Sequence, residues 1–331
     1  MANRDSNPVG VFLHGTTPAA EVADMCRLVE DLGYGEIWIA EDCYMLAGFA
    51  TSAIALQATK DIRVGLGCVA SVTRHPAITA MEAATLANAF PGRFTTSIGH
   101  GPDVWTKQMG IYPGSILGAM RECIGGLRRL FDGETVEAHG KHFTLDKIGL
   151  LNPPKGLPIL VAAVGPKSIA LAGEIADGLV VSVLAGPKYV AHAHERLSQE
   201  MARAGRESAF QLPVYALASI SRDRQAARAA ARATVAFYLE IMGKSLMTGV
   251  YDVNDELGEM LARGGGGVVE KEMPDEWLDW LAICGEPDEC AEKIQALLDA
   301  GASSVGLSFI PAETTRDQLR LTASEILPKI T

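Results

Sequence analysis

Short apolar runs alternate with longer amphipathic segments along most of the chain. The apolar runs predict eight strands, over residues 9–14, 36–40, 62–69, 94–98, 157–164, 178–184, 213–221 and 304–309. A repeat of about 3.6 residues predicts helices after nearly all of them, over residues 17–32, 49–59, 76–90, 115–131, 166–176, 187–204, 222–242, 287–300 and 315–326. This alternation is typical of an α/β fold, the (β/α)8 TIM barrel. No linker interrupts it, so we predict a single domain over residues 1–331.

Two connections are longer than a simple barrel requires, and they predict insertions after the fourth and seventh strands. Residues 134–145 alternate around Gly140 and favour a short β-hairpin. Residues 243–283 include four consecutive glycines at 264–267, which are costly to order. A mobile loop over the site is the functional interpretation of this run, and a plain surface linker is the alternative.

Composition narrows the choice of partners. The 331 residues include 29 basic and 40 acidic side chains, a net charge of −11, which argues against nucleic acid and anionic membranes. No apolar run approaches the roughly 18–20 residues of a membrane span, and residues 1–8 lack a signal-peptide core. Six scattered cysteines indicate free thiols in a reducing cytoplasm, and no set of residues has metal-ligand spacing. We therefore expect a cytoplasmic protein, without metal, that binds a small molecule.

In a (β/α)8 barrel the reacting groups lie at the C-terminal ends of the strands. The first strand ends at His14, and the second ends at Glu41 and Asp42. Because adjacent residues of a strand point to opposite faces, only one of these carboxylates should face the barrel mouth, where it could act as a general acid or base. The other would be structural and could pair with Arg74.

The end of the fifth strand carries the clearest signal for a ligand. Gly165-Pro166-Lys167 opens a helix directly after a buried run, and a helix N-terminus with a nearby lysine favours an anion such as phosphate. An ordinary strand-to-helix turn is the alternative. At the end of the fourth strand, the glycines beside His100 leave room for a flat ligand, although His100 could simply cap a turn.

The third strand contains a pattern that resembles a dinucleotide-binding loop, Gly65-x-Gly67-x-x-Ala70. In such a loop the helix starts at the middle glycine. Here the apolar run continues through Val69, and the next helix signal is Pro76. We therefore reject a Rossmann site at this position.

Several short motifs carry a family resemblance, and they lie at residues 73–76, 83–86, 91–94, 97–101, 120–122, 158–167 and 171–178. With them the chain resembles the bacterial luciferase-like flavin and deazaflavin superfamily. The closer likeness is to its F420-dependent branch, of the methylenetetrahydromethanopterin reductase type. The resemblance is strong over roughly residues 8–205, and beyond them it rests mainly on the alternation of strands and helices.

The resemblance implies an F420-dependent oxidoreductase that moves a hydride between C5 of the deazaflavin and a small organic substrate. It places the ring over a bulge in the third strand with a cis peptide, here Gly67–Cys68, and the tail phosphate on residues 164–167. The implied cofactor-binding residues are Gly67, Cys68, Val69, Ala70, His100, Gly101, Ala163, Val164, Gly165, Pro166 and Lys167. A homodimer is implied as well.

One departure from the family pattern concerns proton handling. F420-using relatives often end the second strand with Asp-His, whereas this chain has Glu41-Asp42. Asp42 could replace the histidine, or His14 could approach from the first strand, so the catalytic candidates are Asp42, Glu41 and His14. Two alternatives stay open. One is an FMN-dependent monooxygenase that uses O2 and a partner flavin reductase, and the other is a non-catalytic cofactor-binding subunit.

Overall fold

The structure is a computed structural model that describes residues 7–330. Its strands, β1 to β11 in chain order, are Val9–Leu13, Glu36–Ile39, Arg63–Ala70, Phe94–Gly99, Val136–His139, Thr144–Ile148, Ile159–Ala162, Leu179–Val180, Pro213–Ile220, Ile283–Gly285 and Ser304–Phe309. Its helices, α1 to α14, are Val22–Asp31, Gly48–Ala58, Pro76–Ala89, Asp103–Gln108, Ile116–Phe131, Pro166–Ile175, Pro187–Arg203, Arg224–Met242, Leu246–Gly249, Asn254–Gly264, Gly266–Glu272, Asp275–Leu281, Pro287–Asp299 and Thr315–Glu325.

Nine of the strands form one parallel sheet, in the order β10-β9-β11-β1-β2-β3-β4-β7-β8. The sheet curls, since bridges join Gly178 to Gln211 and Val181 to Val214, which brings β8 back towards β9. All eight residues of β9 are buried, as expected for a strand covered on both faces. The result is an α/β fold with a curled parallel sheet.

The predicted elements recur with some changes of length. Strand β8 is much shorter than predicted and ends at Val180, just before the bridge at Val181. The first helix begins at Val22 rather than at Thr17, because a 3-10 turn over Ala19–Glu21 comes first. Strand β3 is continuous through Ala70, and α3 begins at Pro76, in agreement with the rejection of a Rossmann loop.

Residues 243–283 differ most from expectation. They contain four helices, α9 to α12, and the start of strand β10. The glycine run is not a loop, so the predicted mobile loop is wrong: Gly264 ends α10, Gly266 begins α11, and only Gly265 lies between them. Gly265 has a φ of +65°, a conformation that glycine adopts without strain, and this turns the chain sharply between the two helices.

Large side chains fill the interior of the curled sheet. Trp38 of β2 and Tyr215 of β9 contact each other with ring centroids 5.5 Å apart. Glycines on β3 make the space for them, because a Cβ on Gly65 would collide with the Trp38 ring and a Cβ on Gly67 with the Tyr215 hydroxyl. Below them the buried Glu36 carboxylate accepts from Trp38 Nε1 at 2.6 Å. This packing lies inside the sheet and supports the C-terminal end of β3.

The predicted β-hairpin is confirmed, since β5 and β6 pair in antiparallel fashion. Hydrogen bonds to Glu122 hold the hairpin against α5, and this residue lies in one of the family motifs. The Glu122 carboxylate accepts from the backbone N–H groups of Lys141, His142 and Phe143 at 2.8 to 3.0 Å. Burial works against the charged form, but these three donors outweigh it and lower the pKa of Glu122.

We predict that Glu122→Gln lowers the melting temperature at pH 7. The free energy of unfolding should fall by about 1 kcal/mol. The loss is modest because Glu122 is partly exposed, and hydrogen bonds to an exposed carboxylate contribute little. A lowered pKa gives stability above the ordinary pKa of a glutamate and loses it as the pH falls through the folded-state value. The difference from wild type should therefore shrink on acidification.

Thermal unfolding at several pH values measures this effect, with Glu137→Gln as the control. Glu137 lies on the same hairpin and is exposed. Equal melting temperatures for the two variants at pH 7 would show that Glu122 does not fasten the hairpin.

Candidate active site

Glu41 and Asp42 follow β2 and have different surroundings. Both oxygens of Glu41 are engaged, because the Arg74 guanidinium donates to Oε1 at 2.5 Å and to Oε2 at 2.8 Å. The Gly48 N–H also donates to Oε2, at 2.8 Å. The predicted pairing of one carboxylate with Arg74 is therefore confirmed, and Glu41 is the structural member, which ties the start of α2 and Arg74 to the end of β2.

Asp42 is the carboxylate without such ties. Within residues 7–330 its side chain has no hydrogen bond and no ion pair. Burial, and next the charge of Glu41, raise the pKa of Asp42. A carboxyl group with a raised pKa keeps its proton at a higher pH than usual, which suits a proton donor.

His14 directly follows β1, which pairs with β11. Its Nε2 lies 2.8 Å from Ser308 Oγ, on β11. Burial lowers the pKa of His14 and outweighs a hydrogen bond to the backbone of Phe309, which favours the charged ring. His14 is therefore a neutral imidazole at pH 7. Sequence analysis did not identify Ser308 as the partner of His14. The fact that the first and last strands of a barrel are neighbours could have suggested this pair.

The end of β3 carries the irregularity that the resemblance implies. The Gly67–Cys68 peptide is cis, and the register with β4 shifts between Leu66 and Val69. Burial, followed by the charges of Asp42 and Glu41, raises the pKa of the Cys68 thiol to about 12, so the thiol is neutral at pH 7. The ends of β2 and β3 are adjacent, since Ile39 pairs with Leu66.

At the end of β4, neighbouring protein atoms require glycine at positions 99 and 101. A Cβ on Gly99 would collide with Cys68 Sγ, and one on Gly101 would crowd Ala70. Gly101 also has a φ of +65°. His100 is exposed, and its Nδ1 lies 2.5 Å from the Gly101 carbonyl oxygen. The ends of β3 and β4 therefore fit tightly together, with the His100 ring at the surface.

The start of α6 is open, unlike the glycines of β3 and β4. A Cβ on Gly165 would meet no atom within 4 Å. Within the described residues, neither the backbone N–H nor the ammonium of the exposed Lys167 has a partner. The Val164 carbonyl is held by the Tyr189 hydroxyl at 2.7 Å, a contact from α7 that sequence analysis missed. This opening presents an amide and a cation to an anion.

The next helix begins with the same tripeptide, Gly186-Pro187-Lys188, but its start is covered. The Lys188 N–H donates to the Tyr251 hydroxyl at 3.3 Å, and the Lys188 ammonium lies over the Tyr251 ring, 5.2 Å from its centroid. A Cβ on Gly186 would collide with the same hydroxyl. Two identical sequences thus give one open and one occupied helix start.

Apolar side chains remain exposed in the loops after β2 and β4, namely Tyr44, Met45, Val104, Met109 and Tyr112. The two loops meet where the Tyr44 hydroxyl donates to Gln108 Oε1 at 3.4 Å. A further tyrosine comes from α8: burial, and next the charge of Asp42, raise the pKa of Tyr238. Asp42 directly precedes the first of these loops, so exposed apolar side chains lie next to a partly buried carboxyl group, an arrangement that fits a small organic substrate. Sequence analysis missed Tyr238, because the placement of α8 depends on tertiary packing.

Other features lie apart from this site. A cavity of about 620 Å³ is present at the opposite ends of the strands, lined by residues that include Glu36, Arg63, Phe94 and Ser304. In the described part of the chain, no group of three or more His, Cys, Asp or Glu side chains could hold a metal ion. No helix between residues 7 and 330 has the length and apolar character needed to cross a membrane.

Comparison with known proteins gives a consistent result over more than nine tenths of the chain. A 5,10-methylenetetrahydromethanopterin reductase of Archaeoglobus fulgidus is 31% identical over 92% of this chain and 94% of its own. A putative coenzyme F420-dependent oxidoreductase of Mycobacterium tuberculosis is 28% identical over 92% and 94%. The solved coenzyme F420-dependent tetrahydromethanopterin reductase of Methanopyrus kandleri has the same fold, with a TM-score of 0.82, 24% identity and coverage of 98% and 99%.

The family model described as luciferase-like monooxygenase matches residues 5–304. This match covers every strand of the curled sheet except β11, and every residue of the candidate site except Ser308. The chain belongs to the luciferase-like family.

Proposed function

We propose that the chain is an F420-dependent oxidoreductase that moves a hydride between the deazaflavin and a small organic substrate. The observation that carries the proposal is the open start of α6, where Lys167 offers a free amide and a free ammonium. This is the position at which the resemblance places the tail phosphate of the cofactor. Curated relatives that match 92% of the chain support F420 as that cofactor.

The residues present fit such a group. We assign phosphate binding to Val164, Gly165, Pro166 and Lys167, since nothing in the described chain covers Gly165. We assign the support of the ring to the Gly67–Cys68 segment with Val69 and Ala70, and its edges to His100, Gly101 and Ala163. When bound, the deazaflavin supplies or accepts a hydride at C5.

The chain's own groups supply position and one proton. We propose Asp42, rather than Glu41, as the proton donor, because Arg74 and Gly48 engage both oxygens of Glu41. The raised pKa of Asp42 keeps the proton in place at a higher pH than in an ordinary aspartate. Neutral His14, bonded to Ser308, can orient a polar group of the substrate. The apolar loops limit the entry of water.

The FMN-dependent monooxygenase with a partner flavin reductase is the second candidate, because the matching family model is described as a luciferase-like monooxygenase. Both cofactors carry a flat ring and a phosphate, so the site residues assigned above would serve either. What separates them is the identity of the bound ring. A non-catalytic subunit would bind a cofactor and show no turnover with any substrate.

We also propose a complete (β/α)8 barrel formed by β1 to β4, β7 to β9 and β11, in a single domain of residues 1–331. Insertions near residues 134–145 and 243–283 carry the hairpin and the helices α9 to α12. Such a unit should unfold in one calorimetric transition.

We propose further that the protein is a homodimer. Its α2 has no charged residue and α3 has only Glu82, although both helices lie at the surface.

The cofactor assignment is tested by titrating the purified protein with F420 and with FMN while tryptophan fluorescence is recorded. We expect saturable quenching by F420 at much lower concentration than by FMN. Lys167→Ala should weaken F420 binding by about tenfold, the order expected for loss of one charged contact to phosphate. Lys188→Ala is the matched control and should bind as wild type, because Tyr251 covers its helix start. Tight binding of FMN without binding of F420 would overturn the proposal, and equal affinities of the two variants would reject the phosphate site.

For the proton donor, we predict that Asp42→Asn lowers turnover of reduced F420 by about a hundredfold or more, with little change in cofactor affinity. The assay uses a panel of activated double bonds, imines and aldehydes. Asp42→Asn should also melt at a higher temperature at pH 7. A carboxyl group whose pKa is raised in the folded state makes the protein less stable as the pH rises through that value. Asparagine does not ionise, so the variant lacks this loss.

The matched control is Asp146→Asn, which changes an exposed carboxylate on the hairpin. It should leave both turnover and melting temperature close to those of wild type. Full turnover in Asp42→Asn would mean that Asp42 is structural and that His14 is the next candidate.

For the assembly, we expect sedimentation at twice the chain mass of 35.1 kDa. Ile54 on α2 and Ile78 and Met81 on α3 are 40 to 52% exposed and form an apolar surface suited to a second copy. Met81→Glu should shift the protein towards the monomer. Leu151→Glu changes a side chain that is 94% exposed elsewhere and should not. A monomeric wild type would reject the dimer.

A further inference from the structure

Tyr215 occupies an unusual place inside the curled sheet. It lies on β9 and is 6% exposed, with its ring 4.5 Å from that of Phe12 and 5.5 Å from that of Trp38, measured between centroids. Its hydroxyl reaches across to β3, where a Cβ on Gly67 would collide with it. The phenol therefore supports the Gly67–Cys68 segment from within the sheet.

The hydroxyl of this tyrosine has no hydrogen-bond partner within residues 7–330, although it is buried. Burying a hydroxyl without a bond costs stability, and most buried polar groups in proteins avoid this cost. The ring makes the contacts with Phe12 and Trp38, so phenylalanine would keep that packing without the cost of an unbonded hydroxyl. Aromatic packing therefore explains the ring of Tyr215 but leaves its hydroxyl unexplained.

Two observations narrow the role of that hydroxyl. Burial, and next the neighbouring Cys68 and Glu36, raise the pKa of Tyr215 well above its ordinary value, so the phenol stays neutral and can donate a hydrogen bond. The segment that it touches is the one with the cis peptide and the register shift. This is also the segment to which the proposed function assigns the cofactor ring.

We propose that Tyr215 is a positioning residue for the bound deazaflavin, whose hydroxyl supports the Gly67–Cys68 segment and gains its hydrogen bond only when the site is filled. This inference rests on the proposed function and adds a residue from the seventh barrel strand to it. The unbonded hydroxyl then destabilises the cofactor-free protein, and this destabilisation is removed when the cofactor binds. Tyr215 contacts the support of the ring and takes no part in the transfer itself.

Tyr215→Phe separates these two states, with Tyr34→Phe as the control. The Tyr34 hydroxyl is also buried, but it donates to the Leu319 carbonyl at 3.0 Å, far from the site. Without cofactor, Tyr215→Phe should melt at the same temperature as wild type or higher, and Tyr34→Phe should melt lower. With F420, Tyr215→Phe should bind about fivefold more weakly and shift the absorption maximum of the bound cofactor.

The remaining results distinguish this inference from the proposed function. Lys167→Ala should weaken F420 binding without shifting the absorption maximum, because it acts at the tail. If wild type binds F420 and Tyr215→Phe shows the same affinity and spectrum, the positioning role is wrong. A lower melting temperature of cofactor-free Tyr215→Phe would also overturn it, since the hydroxyl would then be bonded in the empty protein. If wild type fails to bind F420, the proposed function fails and the inference fails with it.

Discussion

The packing of aromatic rings against glycine backbone inside the curled sheet is the constraint on which the candidate site depends. Trp38 and Tyr215 fill the interior only because Gly65 and Gly67 carry no side chain. Protein interiors are packed as densely as organic crystals, so even one added methyl group would displace these rings or the strand. The height and shape of the Gly67–Cys68 segment are therefore set from below, before any ligand is bound.

Electrostatics then divides similar groups into different roles. Glu41 and Asp42 are adjacent, yet Arg74 and Gly48 engage the first and leave the second free. The two Gly-Pro-Lys starts differ in the same way, because Tyr251 covers one and nothing in the described residues covers the other. The chain carries a net charge of −11, so an anion must be met by local donors rather than by the overall field. The free amide and ammonium of Lys167 are donors of this kind.

Much of this arrangement could be predicted from residue order. The apolar runs located most of the strands, because that pattern depends on local geometry. The pairing of one carboxylate with Arg74 was also predicted correctly, although Glu41 and Asp42 lie in the loop after β2 and not on the strand itself. The reason for Gly67 and Gly99 could not be predicted, since the atoms that require them belong to Tyr215 and Cys68 on other strands. The glycines at 264–267 were wrongly predicted to form a mobile loop for a related reason. Glycine indicates a flexible backbone, but here that flexibility serves one sharp turn between two helices.

The most direct test of the account is a crystal structure of the protein with F420 bound. The account predicts the tail phosphate within hydrogen-bond distance of the Lys167 amide and the ring against the Gly67–Cys68 segment, with Asp42 beside the reacting edge. A phosphate at the start of α7, or a ring bound in the cavity at the opposite ends of the strands, would contradict it.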